Sequence, residues 1–366
     1  MEKKIAYVGI DYHLNSLSIA VMVEGEKDFH QTIRLVNKDK VIFKYMKKLS
    51  KEFEIKACYE ASGSGYVLQR KMAARGYECD VIAPSLIPKK RGDRRKNDFR
   101  DARNLAQNYA HGMLTVVHPP TEQEESVRSF IRCRLAFKEA EKRVKLQINS
   151  FLLSQGLHWD GNKWTHQHRS WLYRLRLNDQ YLQQILNEYL EHLEFLQSRI
   201  KNLDDQIEEI ARSDIYAPSV KKLRAFKGIG TLSAMLLIAE ITDFRRFASP
   251  RALMAFLGLI PSEDSSGDKQ KGGSITKAGN HRCRTQLIES VQHYVRKPVI
   301  GPQMKQDLSQ VDAHSANVSL KCMERLHRRY WALALKGKVR QVAITAIARE
   351  FVGFIWAMMQ PEPVTS

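Results

Sequence analysis

Three short strand-like runs, at residues 5–11, 16–23 and 31–36, come one after another before any helical pattern begins. Few arrangements start this way. Consecutive short runs of this kind pair as hairpins, and strand–helix alternation occupies the chain beyond them. Residues 38–51 have helical spacing through Val41, Ile42, Tyr45, Met46 and Leu49. Next come a strand ending at Glu60, a Gly63-Ser64-Gly65 turn, a helix over 66–75, a strand over 79–83, a helix over 101–111 and a strand over 114–117, up to Pro119-Pro120. A hairpin-linked trio ahead of parallel strands fits an RNase H-like sheet, a periodicity that other α/β folds share. In the second strand Ser18, Ala20 and Met22 alternate only loosely with Ile19, Val21 and Val23.

Acidic residues sit where these elements begin and end. Asp11 closes the first strand, Glu60 closes the fourth, and Asp98 and Asp101 stand at the mouth of a helix. Carboxylates at strand ends converge at one edge of an α/β sheet, and hard divalent cations such as Mg²⁺ take oxygen ligands. Two such ions about 3.5–4 Å apart are the usual clamp for in-line phosphoryl transfer. Spacing i, i+3 places Asp98 and Asp101 on one helical face. The plain alternative for Asp98 is a helix N-cap.

Fifty-nine Lys and Arg against 40 Asp and Glu give a net charge of +19 in 366 residues. Such a balance points to a polyanion, because neutralising phosphates releases counterions. Acidic residues gathered within so basic a chain suggest a metal site working on nucleic acid. Between positions 84 and 103 stand Lys89, Lys90, Arg91, Arg94, Arg95, Lys96, Arg100 and Arg103, running straight into Asp98 and Asp101. By itself this is a solvated face or a phosphate-binding segment. Five scattered cysteines with no Cys-x-x-Cys exclude a zinc ribbon and argue against a disulfide framework. No signal peptide is read at the N-terminus and no apolar stretch reaches the ~18 residues of a membrane span, so the expected setting is the cytoplasm, away from any membrane.

After Pro119-Pro120 long helices take over. Leu182, Leu186, Tyr189, Leu193, Leu196, Ile200, Leu203, Ile207 and Ile210 recur at steps of four and three, a heptad seam that needs a partner. Residues 121–154 carry a less regular stripe of Phe130, Phe137, Val144, Ile148 and Phe151. The seam pairs either within the chain, as an antiparallel helical hairpin, or with a second copy. Between the two helices, residues 156–176 are rich in Trp and His. A second boundary falls at 213–218, and the remainder is helical and basic apart from a Gly/Ser-rich loop at 262–280. The organisation expected is 1–118, 119–215 and 216–366.

Two clusters in the last part carry chemistry. Residues 223–234 read as helix, Gly228-Ile229-Gly230 turn and helix, the pattern of helix-hairpin-helix DNA binders, in which glycines and helix N–H groups approach phosphates. The loop Ser262-Glu263-Asp264-Ser265-Ser266-Gly267, followed by Lys271-Gly272-Gly273 and Ile275-Thr276-Lys277-Ala278-Gly279-Asn280, offers a phosphate cradle of small residues and lysines. A serine there becomes a nucleophile only if something activates it, and no histidine lies beside it in sequence.

Taken in order, Gly-Ile-Asp, Tyr-Glu-Ala-Ser-Gly, Asn-Asp-x-x-Asp-Ala, Gly-Ile-Gly, Gly-Leu-x-Pro-x-x-x-Ser-Ser-Gly and Ile-Thr-Lys-Ala-Gly-Asn resemble the DEDD transposases of the IS-one-ten insertion sequences, the bridge-RNA-guided recombinases. The resemblance spans about residues 5–117 and 220–350. It implies a RuvC-like domain whose Asp11, Glu60, Asp98 and Asp101 ligate Mg²⁺ (or Mn²⁺), a coiled-coil middle, and a C-terminal transposase domain with a nucleophilic serine. The serine before the glycine is Ser266, with Ser265 as its neighbour. The implied reaction is strand exchange through a covalent serine–DNA phosphodiester, catalytic for Ser266, Asp11, Glu60, Asp98 and Asp101. A structured guide RNA would pair with donor and target double-stranded DNA, and dimers would assemble into tetramers. Lys89, Lys90, Arg91, Arg94, Arg95, Lys96, Arg100, Gly228, Gly230, Lys271, Lys277 and Asn280 are the expected nucleic-acid contacts, the last two from their proximity to the loop. The segment at 156–176 and the basic stretch at 298–338 depart from the family. Two rival readings are a RuvC-like nuclease that hydrolyses DNA with metal-bound water, and a non-enzymatic basic scaffold for structured RNA.

Overall fold

The computed structural model describes residues 3–61, 63, 65–88, 97–266 and 269–361, and leaves the side chains of Ser85 and of residues 263–272 outside that description. The expected contacts Lys89, Lys90, Arg91, Arg94, Arg95 and Lys96 therefore lie outside the described residues, as do the side chains of Ser265, Ser266 and Lys271. The chain divides into two units, Met1–Pro120 and Thr121–Ser366.

In the first unit, β1 (Ile5–Tyr12), β2 (Ser16–Val23) and β3 (Phe29–Val36) form the antiparallel trio. Then come α1 (Asp39–Leu49), β4 (Glu54–Glu60), α2 (Val67–Ala73), β5 (Glu78–Ile82), α3 (Asp98–Ala110) and β6 (Val116–Val117). The sheet order is β3-β2-β1-β4-β5-β6, with β4 parallel to β1 and β5 parallel to β4. This is a mixed α/β unit consistent with the expected DEDD/RuvC-like domain.

Strand periodicity sorts the side chains onto two faces. Ala6, Val8 and Ile10 of β1 join Ile42, Met46 and Leu49 of α1 and Leu68 and Met72 of α2 in one core. On the opposite face Ala20 packs with Ala102 and Ala106, and Cys58 with Leu105, all beneath α3. Helices on both faces explain the weak alternation of β2, since a strand covered on both sides has no polar face. Its residues 17–21 are all buried.

The second unit opens with α4 (Glu122–Ser154), whose start is a capping box of Thr121 and Glu124. Next are α5 (His166–Arg174) and α6 (Gln180–Ala211). Arg134 pairs with Asp204, Gln197 donates to Glu141, and Phe151 meets Tyr189, so partners recede along α6 as they advance along α4. The heptad seam thus closes within the chain as an antiparallel hairpin. Glu141 is a buried acid in it: burial works to raise its pKa, but hydrogen bonds from Lys138, Lys145 and Gln197 prevail and bring it down to about 2.

The rest comprises α7 (Ala217–Arg224), α8 (Thr231–Ile241), α9 (Pro250–Phe256), the hairpin β7 (Pro261–Ser266) and β8 (Lys269–Ile275), then α10 (His281–Val291), α11 (Pro302–Leu308), α12 (Ala313–Leu335) and α13 (Arg340–Met359). Strands replace the loop expected at 262–280: the sequence there has no apolar alternation, and the hairpin is seen in its backbone pairing, with Ser262 Oγ donating to the Ser274 carbonyl across it. By length and composition α13 is apolar enough to cross a membrane, a property the expected absence of such a stretch missed. Arg349 and Glu350 interrupt it, and Ile344, Ile347, Phe351, Val352 and Ile355 sit in the core of this unit. The chain's five cysteines are free thiols.

Candidate metal centre and serine hairpin

Gly9, Asp11, Ser18, Ala20, Cys58 and Glu60 share the sheet face that α3 covers. A Cβ on Gly9 would lie 2.2 Å from the Ala102 carbonyl oxygen and 2.4 Å from the Ala106 nitrogen, so only glycine lets α3 come this close. That seat brings the first turn of α3 to the end of β1. Asn97 rather than Asp98 caps the helix, accepting from the Phe99 N–H. The Asp98 carboxylate is therefore not used as a cap.

One ligand atom each from Asp11, His13 and Asp98 lies within 4.8 Å of the others. His13 Nε2 stands 3.1 Å from Asp11 Oδ2 and 3.8 Å from Asp98 Oδ1, and Arg34 pairs with Asp98. Burial raises the pKa of Asp11; the imidazole of His13 opposes this, and the charges of Asp98 and Asp101 add to the rise. Asp101 is therefore near enough to be felt electrostatically, though outside the 4.8 Å group. Glu60 ends β4 one step past the Ile10–Tyr59 register pair and is exposed, also outside the group.

These residues suit a divalent cation: two carboxylates and an imidazole converge, and Asp11 meets like charge that a cation would relieve. Ser18, opposite Asp11 in the register, adds a buried hydroxyl with no hydrogen-bond partner. His13 and Arg34 were not anticipated. The Asp11-x-His13 spacing, two residues apart where β1 ends, was a legible signal for the first. Arg34 needed the register, in which Asp11 faces Ser18 and Ser18 faces Arg34.

Replacing Gly9 with Ala should push α3 off the sheet. We expect destabilisation of about 1–3 kcal/mol, as for overpacked cores, and loss of any Mn²⁺-induced rise in melting temperature. Unchanged melting curves with and without Mn²⁺ would show that the close approach does not hold the acids in place.

In the second unit Ser266 is the last residue of β7, paired in register with Lys269. The base of the hairpin is tied tightly. The Lys277 N–H donates to the Gly258 carbonyl, Thr276 N–H to Ile260 and Asn280 N–H to Phe256, while the Arg284 guanidinium donates to the Leu257 carbonyl at 2.7 Å. Gly258 (φ 65°) and Gly279 (φ 130°) adopt backbone that side chains avoid, and a Cβ on Gly279 would meet the Phe256 carbonyl oxygen at 2.2 Å. Lys277 is exposed, also at positive φ.

The Asn280 side chain is bonded within the protein. Its Oδ1 caps α10 by accepting from Arg282 and Cys283 N–H, and its Nδ2 donates to Glu240 Oε2 at 2.7 Å. Glu240, in α8, is almost fully buried and also takes two hydrogen bonds from Arg132 of α4, at 2.7 and 2.8 Å. Burial works to raise the Glu240 pKa, but Arg132, Asn280 and Arg282 bring it below its ordinary value. The Ile-Thr-Lys-Ala-Gly-Asn run is thus the latch of the hairpin.

Of the turn glycines, Gly228 (φ 85°) is needed for internal packing, since a Cβ there would strike the Ser290 carbonyl oxygen at 2.4 Å. Gly230 precedes α8 with open space around it and no side-chain cap. Arg100 is exposed on the first turn of α3.

Residues 8–155 match the DEDD-type IS110 transposases, and residues 220–307 match the family described as Transposase IS116/IS110/IS902. A putative transposase, y4qE, of Sinorhizobium fredii is 36% identical over 355 residues, covering 96% of this chain and 88% of that protein. The chain belongs to the IS110 family of transposases. The transposase for insertion sequence element IS1533 of Leptospira borgpetersenii is 32% identical over 260 residues, 70% of this chain and 75% of its own length. A probable family 20 transposase of Pseudomonas aeruginosa is 28% identical over 249 residues, 65% and 70% respectively. This IS110 transposase is therefore an enzyme of mobile insertion sequences, with a DEDD-type domain of the kind that uses divalent metal.

Proposed function

We propose that this transposase exchanges DNA strands through a covalent link to Ser266, directed by a structured guide RNA that pairs with donor and target double-stranded DNA. The observation that carries the serine reading is its place at the end of a hairpin whose base is latched by Gly258, Gly279 and Asn280. A nucleophile gains from such fixed placement. Ser266 Oγ gives up its proton as it attacks phosphorus, the P–O bond to one sugar oxygen breaks, and the departing oxygen takes up a proton. The hydroxyl of another strand then attacks the serine phosphodiester, expels Ser266 Oγ and restores a phosphodiester. Bond energy is conserved, so no cofactor need supply it.

Asp11, Asp98 and Asp101, with Glu60 and His13, are the residues that would hold Mg²⁺ or Mn²⁺, a Lewis acid toward phosphoryl oxygen when bound. His13 orients Asp11 through its 3.1 Å contact, and Arg34 holds Asp98 until a cation competes for it. Lys277 is an exposed cation beside the hairpin, suited to a DNA phosphate, and Lys271, Arg100, Gly228, Gly230 and the run from Lys89 to Lys96 are assigned to nucleic-acid contact on charge and position. Asn280 acts at one remove, through the latch.

Functionally the chain is read as 1–118, 119–215 and 216–366, working in the cytoplasm where its DNA is. The helical hairpin exposes Leu146, Tyr181, Ile185 and Phe195, apolar surface that supports assembly into dimers and then tetramers.

A trapping assay tests the chemistry: purified transposase, the RNA of its element, labelled donor and target DNA and Mg²⁺, resolved on a denaturing gel. We expect a DNA-linked protein band that disappears in Ser266→Ala. Cleaved DNA with no linked band, made equally well by Ser266→Ala, would make the protein a hydrolytic nuclease.

A further inference from the structure

The turn that joins β1 to β2 fixes the backbone of His13. Its N–H donates to the Ser16 carbonyl at 3.0 Å, and Asn37 Nδ2 donates to the His13 carbonyl at 3.0 Å. Asn37 Nδ2 also donates to the Leu14 carbonyl, so a residue just past β3 holds the turn. With its N–H and carbonyl both tied, His13 keeps only its side-chain torsions to choose. The imidazole reaches back over the end of β1, with Nε2 3.1 Å from Asp11 Oδ2 and 3.8 Å from Asp98 Oδ1. One ring nitrogen thus faces two carboxylates, one brought by β1 and the other by α3. A single Nε2–H serves one acceptor, so a hydrogen bond accounts for the Asp11 contact and not for the second oxygen.

Two ligand atoms about 2.1 Å from one cation stand about 3 Å apart at right angles and about 4.2 Å apart across it. The 3.1 Å and 3.8 Å separations both fall in that span. The donor set is therefore mixed, two carboxylate oxygens and one imidazole nitrogen. Ser18, opposite Asp11 in the register, adds only a further oxygen on the same sheet face. Mg²⁺ demands near-ideal octahedral geometry, takes oxygen ligands and gives up its water reluctantly. Imidazole suits first-row transition ions better, in the affinity series that Mn²⁺ opens. We propose that His13 Nε2 is a direct ligand beside Asp11 and Asp98 and tilts the site toward a first-row transition cation such as Mn²⁺ and away from Mg²⁺, an inference that rests on the reading of those acids as a metal centre. A ligand set of carboxylates alone has no such nitrogen to offer.

Equilibrium binding to the full chain tests it, with Mn²⁺ followed by the electron paramagnetic resonance of the free ion and Mg²⁺ by its displacement of Mn²⁺. His13→Gln keeps a polar side chain and removes the ring nitrogen, at a position 46% exposed where folding is not threatened. Its preference for Mn²⁺ over Mg²⁺, the ratio of the two dissociation constants, should fall about tenfold below wild type. Asp98→Asn should weaken both ions and leave that ratio within about twofold, because it removes an oxygen ligand that both accept. Bound Mn²⁺ should also show, in pulsed spectra, the nuclear modulation of a coordinated imidazole nitrogen, lost in His13→Gln. An unchanged ratio, or a nitrogen signal that persists in His13→Gln or is missing from wild type, would overturn the inference and leave the acids as a metal centre. Failure of wild type to bind either ion would remove the metal centre and the inference together.

Discussion

Asp11→Asn is expected to lower strand exchange by about a hundredfold or more while leaving nucleic-acid binding in place. The effect should exceed the 10–100-fold typical of residues lying behind metal ligands, because Asp11 stands at the centre of the acidic group. The amide keeps the carboxylate's shape but not its charge or its affinity for a hard cation. Asp11 sits between burial, which raises its pKa, and His13 Nε2 at 3.1 Å, which counters that rise, with Asp98 and Asp101 adding like charge. Neutralising it therefore costs the fold little. Strand-exchange yield and electrophoretic binding, measured on the same preparation, separate the possibilities. A parallel fall in both would make Asp11 a structural residue.

Arg132→Leu should be the most damaging change in the second unit. Glu240 would keep its charge in a site where its side chain is 1% exposed, having lost both hydrogen bonds from the guanidinium. Removing one member of a buried pair costs about 3–5 kcal/mol. Adding Glu240→Gln should recover part of it, because the stranded charge disappears while a partner for Asn280 remains. The pH dependence has a definite sign. Glu240 titrates below its ordinary value of 4.5 in the folded chain, so its contribution is present above about 4.5 and is lost as pH falls through that range. Wild type should lose stability there more steeply than Arg132→Leu, by urea unfolding at pH 7 and pH 4. A loss under about 1 kcal/mol at pH 7 would show that the pair is dispensable. Activity should fall too, since Asn280 ties the same carboxylate to the base of the serine hairpin.

Both predictions depend on partners that sequence does not pair. Asp11, Glu60, Asp98 and Asp101 were legible because each marks the end of an element, and element ends come from short-range periodicity. Arg34 was not: it reaches Asp98 only through a three-strand register, which is a long-range fact. Asn280 shows the converse. Its nearness to a Gly/Lys loop reads as ligand contact, and the bonds of its amide to α10 and Glu240 have no sequence signal at all. The Trp-rich segment was visible as composition, but the burial of His168 among Trp159, Trp164 and Trp171 exists only in the folded chain.

What the sequence determined by itself is local. It set the three early strands, the boundary at Pro119-Pro120, the heptad seam and the placing of the four acids at element ends, because these rest on periods of two and 3.6 residues and on covalent order. The tertiary structure decided what met what. It chose α4 as the partner of the seam, it drew Asp98 to Asp11 through the single missing Cβ of Gly9, and it buried Glu240 under Arg132. The physical reason is that contacts between residues far apart in sequence are selected by close packing and by the cost of leaving a buried charge or donor unpaired, which only the assembled chain presents.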